Sequence, residues 1–317
     1  MLNRLKAVML GHAVGDALGV PVEFCNRNDL AKNPVSDMRG FGTYDVPAGC
    51  WSDDTSMSIC ALESLVKGKV DYDDIMNNFG KWYYHGEFTA TGKMFDIGNT
   101  CASAIDNYFT RGSAATKCGL SNMNSNGNGS LMRIHPFVMY AYYNNIKEDK
   151  LIYMIEMASS LTHAHDISID GCIMYSYILL ALLTEASKDS VYKGLQQASE
   201  SISYDSVPYY KRLLESDIAN LDKTHIKSSG YIVDSLEAAV WCLLTTNTYQ
   251  DCVLKAVNLG NDTDTVAAIA GGLAGALYGI DSIPQQWVNT LIKKDYIENL
   301  CENAYKKWRL ISEIQDT

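Results

Sequence analysis

The chain reads as all-α. Apolar residues recur at helical spacing along most of its length, strand-like alternation is hard to find, and polar turn clusters part the helical segments. Leu5, Val8 and Met9 open a first helix that runs toward Gly15. Met57, Cys60, Ala61, Ser64 and Leu65 line a second at i, i+3, i+4 spacing. The same periodicity predicts helices over residues 75–83, 134–143, 151–161, 169–183, 235–244 and 266–277, and a last amphipathic helix over 296–311. Only six prolines and clusters such as Asn124-Ser125-Asn126-Gly127-Asn128-Gly129 interrupt them. No internal repeat, low-complexity linker or break in composition divides the chain, so residues 1–317 are expected to form one domain.

Composition narrows the class. Apolar residues make up 47% of the 317 and charged residues 20%, which supplies ample material for a core. A net charge of −11 argues against a nucleic-acid binder, whose affinity depends on clustered Lys and Arg. A small phosphorylated ligand stays compatible, because bound cations reverse the local sign. Nine cysteines are scattered without a CxxC or a regular framework. Met1-Leu2-Asn3-Arg4-Leu5-Lys6 runs straight into an amphipathic segment and lacks a signal-peptide core. Apolar runs such as residues 173–183 are shorter than a bilayer-spanning helix. The expectation is a reduced, cytoplasmic protein with free thiols and without a membrane partner, a monomer being favoured though the sequence does not fix the oligomeric state.

The chemistry concentrates in two acidic runs, Ser52-Asp53-Asp54-Thr55 and Asp262-Thr263-Asp264-Thr265, each ahead of an apolar helical stretch. Hard oxygen donors of this kind suit Mg²⁺, Mn²⁺ or Ca²⁺ and not zinc or copper. Each run is equally good helix-capping chemistry, with acidic residues in a first turn. Residues two apart on a helix point about 200° from each other, so Asp262 and Asp264 converge only from a loop or first turn. Gly260-Asn261 makes such a turn plausible. The helix that follows, Ala267-Ala268-Ile269-Ala270-Gly271-Gly272-Leu273-Ala274-Gly275-Ala276, is slim enough to pack very closely and hold its N-terminus rigidly inside the protein. Capping alone does not call for that. If folding joins the two runs, four carboxylates meet in one place, which only cations make tolerable.

Other segments are more ambiguous. The glycines in Gly11-His12-Ala13-Val14-Gly15-Asp16-Ala17-Leu18-Gly19 permit close helix contacts or tight turns, with neither GxGxxG nor a Walker lysine. Glu23 lies between Val22 and Phe24, and apolar company raises a carboxyl pKa and suits a general base. A solvated surface glutamate is the plainer alternative. Gly127, Asn128, Gly129 and Ser130 lead into Leu131-Met132-Arg133-Ile134, either as an anion nest at a helix N-terminus or as an ordinary turn. Asp96-Ile97-Gly98-Asn99-Thr100 is another polar patch before a helix. His163-Ala164-His165 invites a zinc reading, but no Cys lies at a partner spacing, which favours a structural or ligand-contacting histidine.

Taken in order, these elements resemble the ADP-ribosylglycohydrolase family, which includes the dinitrogenase-reductase-activating glycohydrolases. The matching residues are Gly15-Asp16-Ala17-Leu18-Gly19 with Pro21 and Glu23, Trp51-Ser52-Asp53-Asp54-Thr55, and Gly127-Asn128-Gly129-Ser130-Leu131-Met132-Arg133. Leu161-Thr162-His163, Ser229-Gly230-Tyr231 with Ala238-Ala239, and Gly260-Asn261-Asp262-Thr263-Asp264-Thr265 follow. The resemblance implies a compact multi-helix domain with two Mg²⁺ or Mn²⁺ ions at its centre. It implies metal ligation by Ser52, Asp53, Asp54, Asp262, Asp264 and Thr265, with Ser52 where the family usually has threonine. Glu23 would act on water or substrate beside the metals, with Asp53 and Asp264 as metal-bound catalytic carboxylates. Asp96 and Asn99 match an Asp-x-x-Asn element near the scissile bond. Residues 127–130 would cradle a diphosphate, Tyr231 would flank the ligand, and His163 would sit toward the distal end of the nucleotide.

The reaction so implied is hydrolysis of the bond between ADP-ribose and a protein side chain, with ADP-ribosyl-arginine favoured because a carboxylate pair holds a guanidinium. Serine-linked ADP-ribose or a free conjugate such as O-acetyl-ADP-ribose are alternatives. So are a non-catalytic ADP-ribose binder and a metal-dependent phosphohydrolase.

Overall fold

A computed structural model describes residues 1–215 and 218–315. Its centre is a pair of antiparallel helices, α1 (Leu2–Gly19) and α13 (Thr263–Tyr278). Both are buried on nearly every face, which is why neither shows a clear polar stripe. Small residues at every fourth position let the two backbones touch. A Cβ added to Gly11 would lie 2.5 Å from Gly271 O, one on Gly15 2.1 Å from Ala267 O, and one on Gly275 2.1 Å from Ala7 O. The register carries on to Gly19, where a Cβ would meet Asp264 N at 2.3 Å. The end of α1 and the start of α13 are therefore pinned together.

The remaining helices wrap this pair. In chain order they are α2 (Arg27–Lys32), α3 (Asp53–Leu65), α4 (Tyr72–His85), α5 (Asn99–Arg111), α6 (His135–Tyr143), α7 (Glu148–Ser160) and α8 (Asp166–Thr184). Then come α9 (Lys188–Ser199), α10 (Lys211–Leu214), α11 (Ile232–Leu244), α12 (Tyr249–Val257), α14 (Gln285–Thr290) after α13, and α15 (Lys294–Gln315). Helices α3, α8, α11, α12 and α15 pack on the central pair, while α4, α7 and α9 form an outer layer. Among the described residues there is no β-sheet, only isolated bridges at Leu120–His163 and Gly127–Tyr231.

Every helix expected from periodicity is present, most extended by a few residues where capping residues outside the apolar pattern take over. Helix α3 begins one residue after Ser52, whose hydroxyl accepts the Asp54 N–H. Helix α4 begins after Asp71, which caps Asp74 N–H. Helices α2, α9, α10, α12 and α14 escape the sequence reading because they are short or present a narrow apolar face; α9 buries chiefly Val191, Leu195 and Ala198. The apolar runs also prove longer than they read. Leu2–Val22 and Asp166–Thr184 are long and apolar enough to cross a bilayer, but they are 94% and 72% buried within the fold. All nine cysteines are unpaired.

Because a Cβ on Gly15 would meet backbone and not a movable side chain, Gly15→Ala must push α1 off α13. Overpacking of this kind costs typically 1–3 kcal/mol. A urea titration is expected to show a loss of about 2 kcal/mol or more, whereas Gly98→Ala, with open space around its Cβ, should change little.

Candidate active site

Three helix ends converge on one point. The C-terminal turn of α1 brings Asp16, the first turn of α3 brings Asp53 and Asp54, and the start of α13 brings Asp262 and Asp264. Helix N-termini favour negative charge, so α3 and α13 each stabilise the carboxylates of their first turns. The two acidic runs meet: Thr265 Oγ1 donates to Asp54 Oδ2 at 3.1 Å, across 211 residues of sequence. Ser52 Oγ donates to the same oxygen at 3.1 Å. Ser52 therefore caps α3 and faces the cluster at once, so the capping and site readings hold together.

Asp16 had no role in the sequence reading beyond its motif. It is fully buried and accepts from Ser52 N at 2.9 Å, Thr55 N at 3.0 Å and Thr55 Oγ1 at 2.6 Å. It ties α3 to α1, and burial pushes its carboxyl up to about 6. Nothing in a lone Gly-Asp pair signals that. Tyr44 was also missed, as one of 20 tyrosines in a loop; its hydroxyl donates to Glu23 Oε2 at 2.5 Å. Glu23 itself is 6% exposed, so the plainer reading as a surface glutamate is wrong. Burial, and then the charge of Asp96, raise it to about 8.

Part of this cluster opens on a cavity of about 380 Å³, walled by Glu23, Asp53, Asp96, Asn99, Gly127 to Gly129, His163, Asp262 and Thr265, among others. Among its described lining residues there is no Lys or Arg. Asp96 stands at φ +55°, a left-handed backbone that aims it back toward the cluster. Carboxylate oxygens of Glu23, Asp96 and Asp264 lie within 4.8 Å of one another. Burial raises Asp53, Asp54, Asp96, Asp262 and Asp264 as well, and for Asp53, Asp54, Asp96 and Asp264 the neighbouring carboxylates add to it. A roomier cleft of about 500 Å³, lined by Tyr142, Tyr177 and Leu180 among others, gathers no comparable titratable cluster.

Some expected contacts differ. Residues 127–130 do not open an α-helix; a 3₁₀ turn, Leu131–Arg133, follows, and α6 starts only at His135. Asn128 N–H pairs with Gly230 O at 3.0 Å, so the run is not a free anion nest throughout. The Asn128 side chain donates to Asp262 Oδ2 at 2.7 Å and to Ser235 Oγ at 2.8 Å, which orients that carboxylate. Ser130 turns into the core, with Ser159 Oγ 3.0 Å away. Gly127 and Gly129 keep the wall shallow, and a Cβ on Gly129 would sit 2.7 Å from Cys101 Sγ. Tyr231 pairs with Gly127 through its backbone but is not among the cavity walls.

His163 does line the cavity. Its Nδ1 lies 2.8 Å from Thr162 Oγ1, which accepts from Arg133 Nη2 at 2.8 Å. Burial and then the Arg133 charge push the imidazole down to about 3, so it is a neutral ring. Arg133 is wholly buried behind this wall, bonded to Ala158 O at 3.1 Å and stacked on Phe79, 4.9 Å from the ring centre.

The donor set can hold a divalent cation. All its ligand atoms are hard oxygens, and Asp54 Oδ1 and Asp264 Oδ2 are buried without a hydrogen-bond partner. Carboxylates with raised proton affinity lining a cavity mark a candidate catalytic site.

The chain belongs to the ADP-ribosylglycohydrolase family, whose profile matches residues 1–313, and it is a hydrolase. It is 33% identical to the ADP-ribosylarginine hydrolase Tri1 of Pseudomonas putida (strain GB-1), over 99% of this chain and 81% of that one. It is 29% identical to the ADP-ribosyl-[dinitrogen reductase] glycohydrolase of Rhodospirillum rubrum, over 92% and 91% of the two chains. A solved ADP-ribosylglycohydrolase-related protein complex contains a chain that superposes with a TM-score of 0.81, at 29% identity, covering 97% of this chain and 98% of the other.

Folded-state pKa values raised above their unfolded values give stability that is present at low pH and lost as pH rises. For Glu23 that window runs from its ordinary 4.5 to about 8. In chelator, the melting temperature is expected to fall between pH 5 and pH 8. A flat profile over that range would mean that the cluster ionises without strain.

Proposed function

We propose that this enzyme hydrolyses the glycosidic bond joining ADP-ribose to an arginine side chain of a modified protein. The observation that carries the reading is the cavity itself: Glu23, Asp53, Asp96 and Asp262 line it, with no basic side chain among the described lining residues, so a cationic leaving group is matched on entry. The likeness to a relative named as an ADP-ribosylarginine hydrolase supports the same choice.

Ser52, Asp53, Asp54, Asp262, Asp264 and Thr265 would hold two Mg²⁺ or Mn²⁺ ions, with Glu23 and Asp96 within reach of the same cluster. Such ions, when bound, supply positive charge that orients ribose hydroxyls and makes water more acidic. Glu23 is the proton acceptor for the attacking water, held by the Tyr44 hydroxyl so that one oxygen stays turned to the cavity. Asp96, with Asn99 beside it, faces the scissile bond and stabilises the oxocarbenium charge that develops as the bond breaks. Asn128 fixes the direction of Asp262. The glycine-walled strip at 127 and 129 leaves room for the diphosphate, and His163 contributes an uncharged edge toward the nucleotide.

Arginine- and serine-modified peptides, each incubated with Mg²⁺ and with chelator, give the decisive comparison. Free ADP-ribose is expected from the arginine peptide with Mg²⁺ alone. AMP would point to phosphohydrolysis, release only from the serine peptide would overturn the linkage, and no product would indicate a binder. Asp264→Ala is expected to lower release by about 100-fold or more, the scale of losing a preorganised charged group. Wild-type rates in that variant would sink the metal-site reading. Added Mg²⁺ should also lift the melting temperature at pH 8, a gain that Asp264→Ala should abolish.

A further inference from the structure

Phe24 lines the cavity, and the chemistry above leaves it without a task. Its side chain is 69% exposed, although it lines the same cavity as Glu23, Asp53 and Asp96. Its backbone stands at φ +66°, a left-handed conformation that costs a bulky residue free energy. That conformation is clamped from both sides. Phe24 N–H donates to Asn261 O at 2.7 Å, and Asn261 N–H donates to Cys25 O at 2.8 Å. The clamp turns Glu23 inward and Phe24 outward on consecutive residues. An exposed apolar ring on a strained backbone is unfavourable twice over, and no packing within the fold offsets it.

The surroundings define what would. Glu23, next in sequence, and Asp96 supply negative charge at the cavity wall. The rings of Tyr44 and Phe95, tilted at 45° with centres 4.9 Å apart, adjoin those two acids. A π face beside carboxylates recognises a planar cation, which stacks on the ring while its edge N–H groups reach the oxygens. A neutral hydroxyl leaving group would gain nothing from the ring. We propose that Phe24 is the platform on which the guanidinium of the arginine leaving group stacks, which makes it a specificity-determining residue. The inference rests on the arginine reading above.

The test compares wild type, Phe24→Leu and Phe24→Tyr in Mg²⁺. The readouts are kcat/KM on an ADP-ribosyl-arginine peptide and the Kd for free ADP-ribose, which lacks the guanidinium. Phe24→Leu keeps apolar bulk without a π face and is expected to lose about tenfold in kcat/KM, mainly through KM. Phe24→Tyr should stay within about twofold of wild type, and ADP-ribose affinity should be unchanged in all three. Full activity of Phe24→Leu, equal losses in both variants, or a parallel loss of ADP-ribose affinity would overturn the assignment of Phe24 while leaving the arginine reading intact. A wild type inert on the arginine peptide would defeat that reading, and this inference with it.

Discussion

The backbone contact between α1 and α13 is the constraint from which the site follows. Glycines 11, 15, 19, 271 and 275 remove the side chains that would hold the two helices apart. With the helices this close, Asp16 at the end of one and Asp264 at the start of the other share one small region. Asp16 then binds the first turn of α3 through Ser52 and Thr55, which fixes Asp53 and Asp54. The carboxylates thus owe their positions to main-chain packing and not to flexible side-chain reach. That gives the rigidity a preorganised site requires.

Charge works against the same arrangement. Asp16, Glu23, Asp53, Asp54, Asp96, Asp262 and Asp264 are drawn together in and behind the wall of one cavity, and burial raises every one of them. Hydrogen bonds relieve part of this: Tyr44 on Glu23, Asn128 on Asp262, and Ser52 and Thr265 on Asp54. Two carboxylate oxygens receive no such help. A fold that carries this much unfavourable electrostatics at one place is selected for what the place does and not for stability.

How legible this was in the sequence depended on scale. Local chemistry read well: both acidic runs stand at helix N-termini, with a side-chain cap from Ser52 on α3, and the small-residue stretch after Thr265 is a buried helix. The convergence of the two runs is not contained in either one. It follows from the glycine register between α1 and α13, which becomes visible only when both helices are seen together. Glu23 reads as a general-base candidate from its apolar neighbours, and only the resemblance ties Asp96 to the site; left-handed turns at Phe24 and Asp96 accompany their approach to the cluster. Asn128, expected as a ligand contact, lines the cavity, and its amide also orients Asp262, a pairing that depends on where that amide points.

Arg133 gives the cavity a direction. Its guanidinium is out of reach of any ligand, yet its charge is felt by His163 and Cys101, which form the far wall. With carboxylates gathered near Glu23 and a fixed cation behind His163, the space between them carries a potential gradient. A molecule that is anionic along one part and cationic at its tip has a single favourable heading in such a gradient. Charge thus adds to shape in setting the favoured orientation.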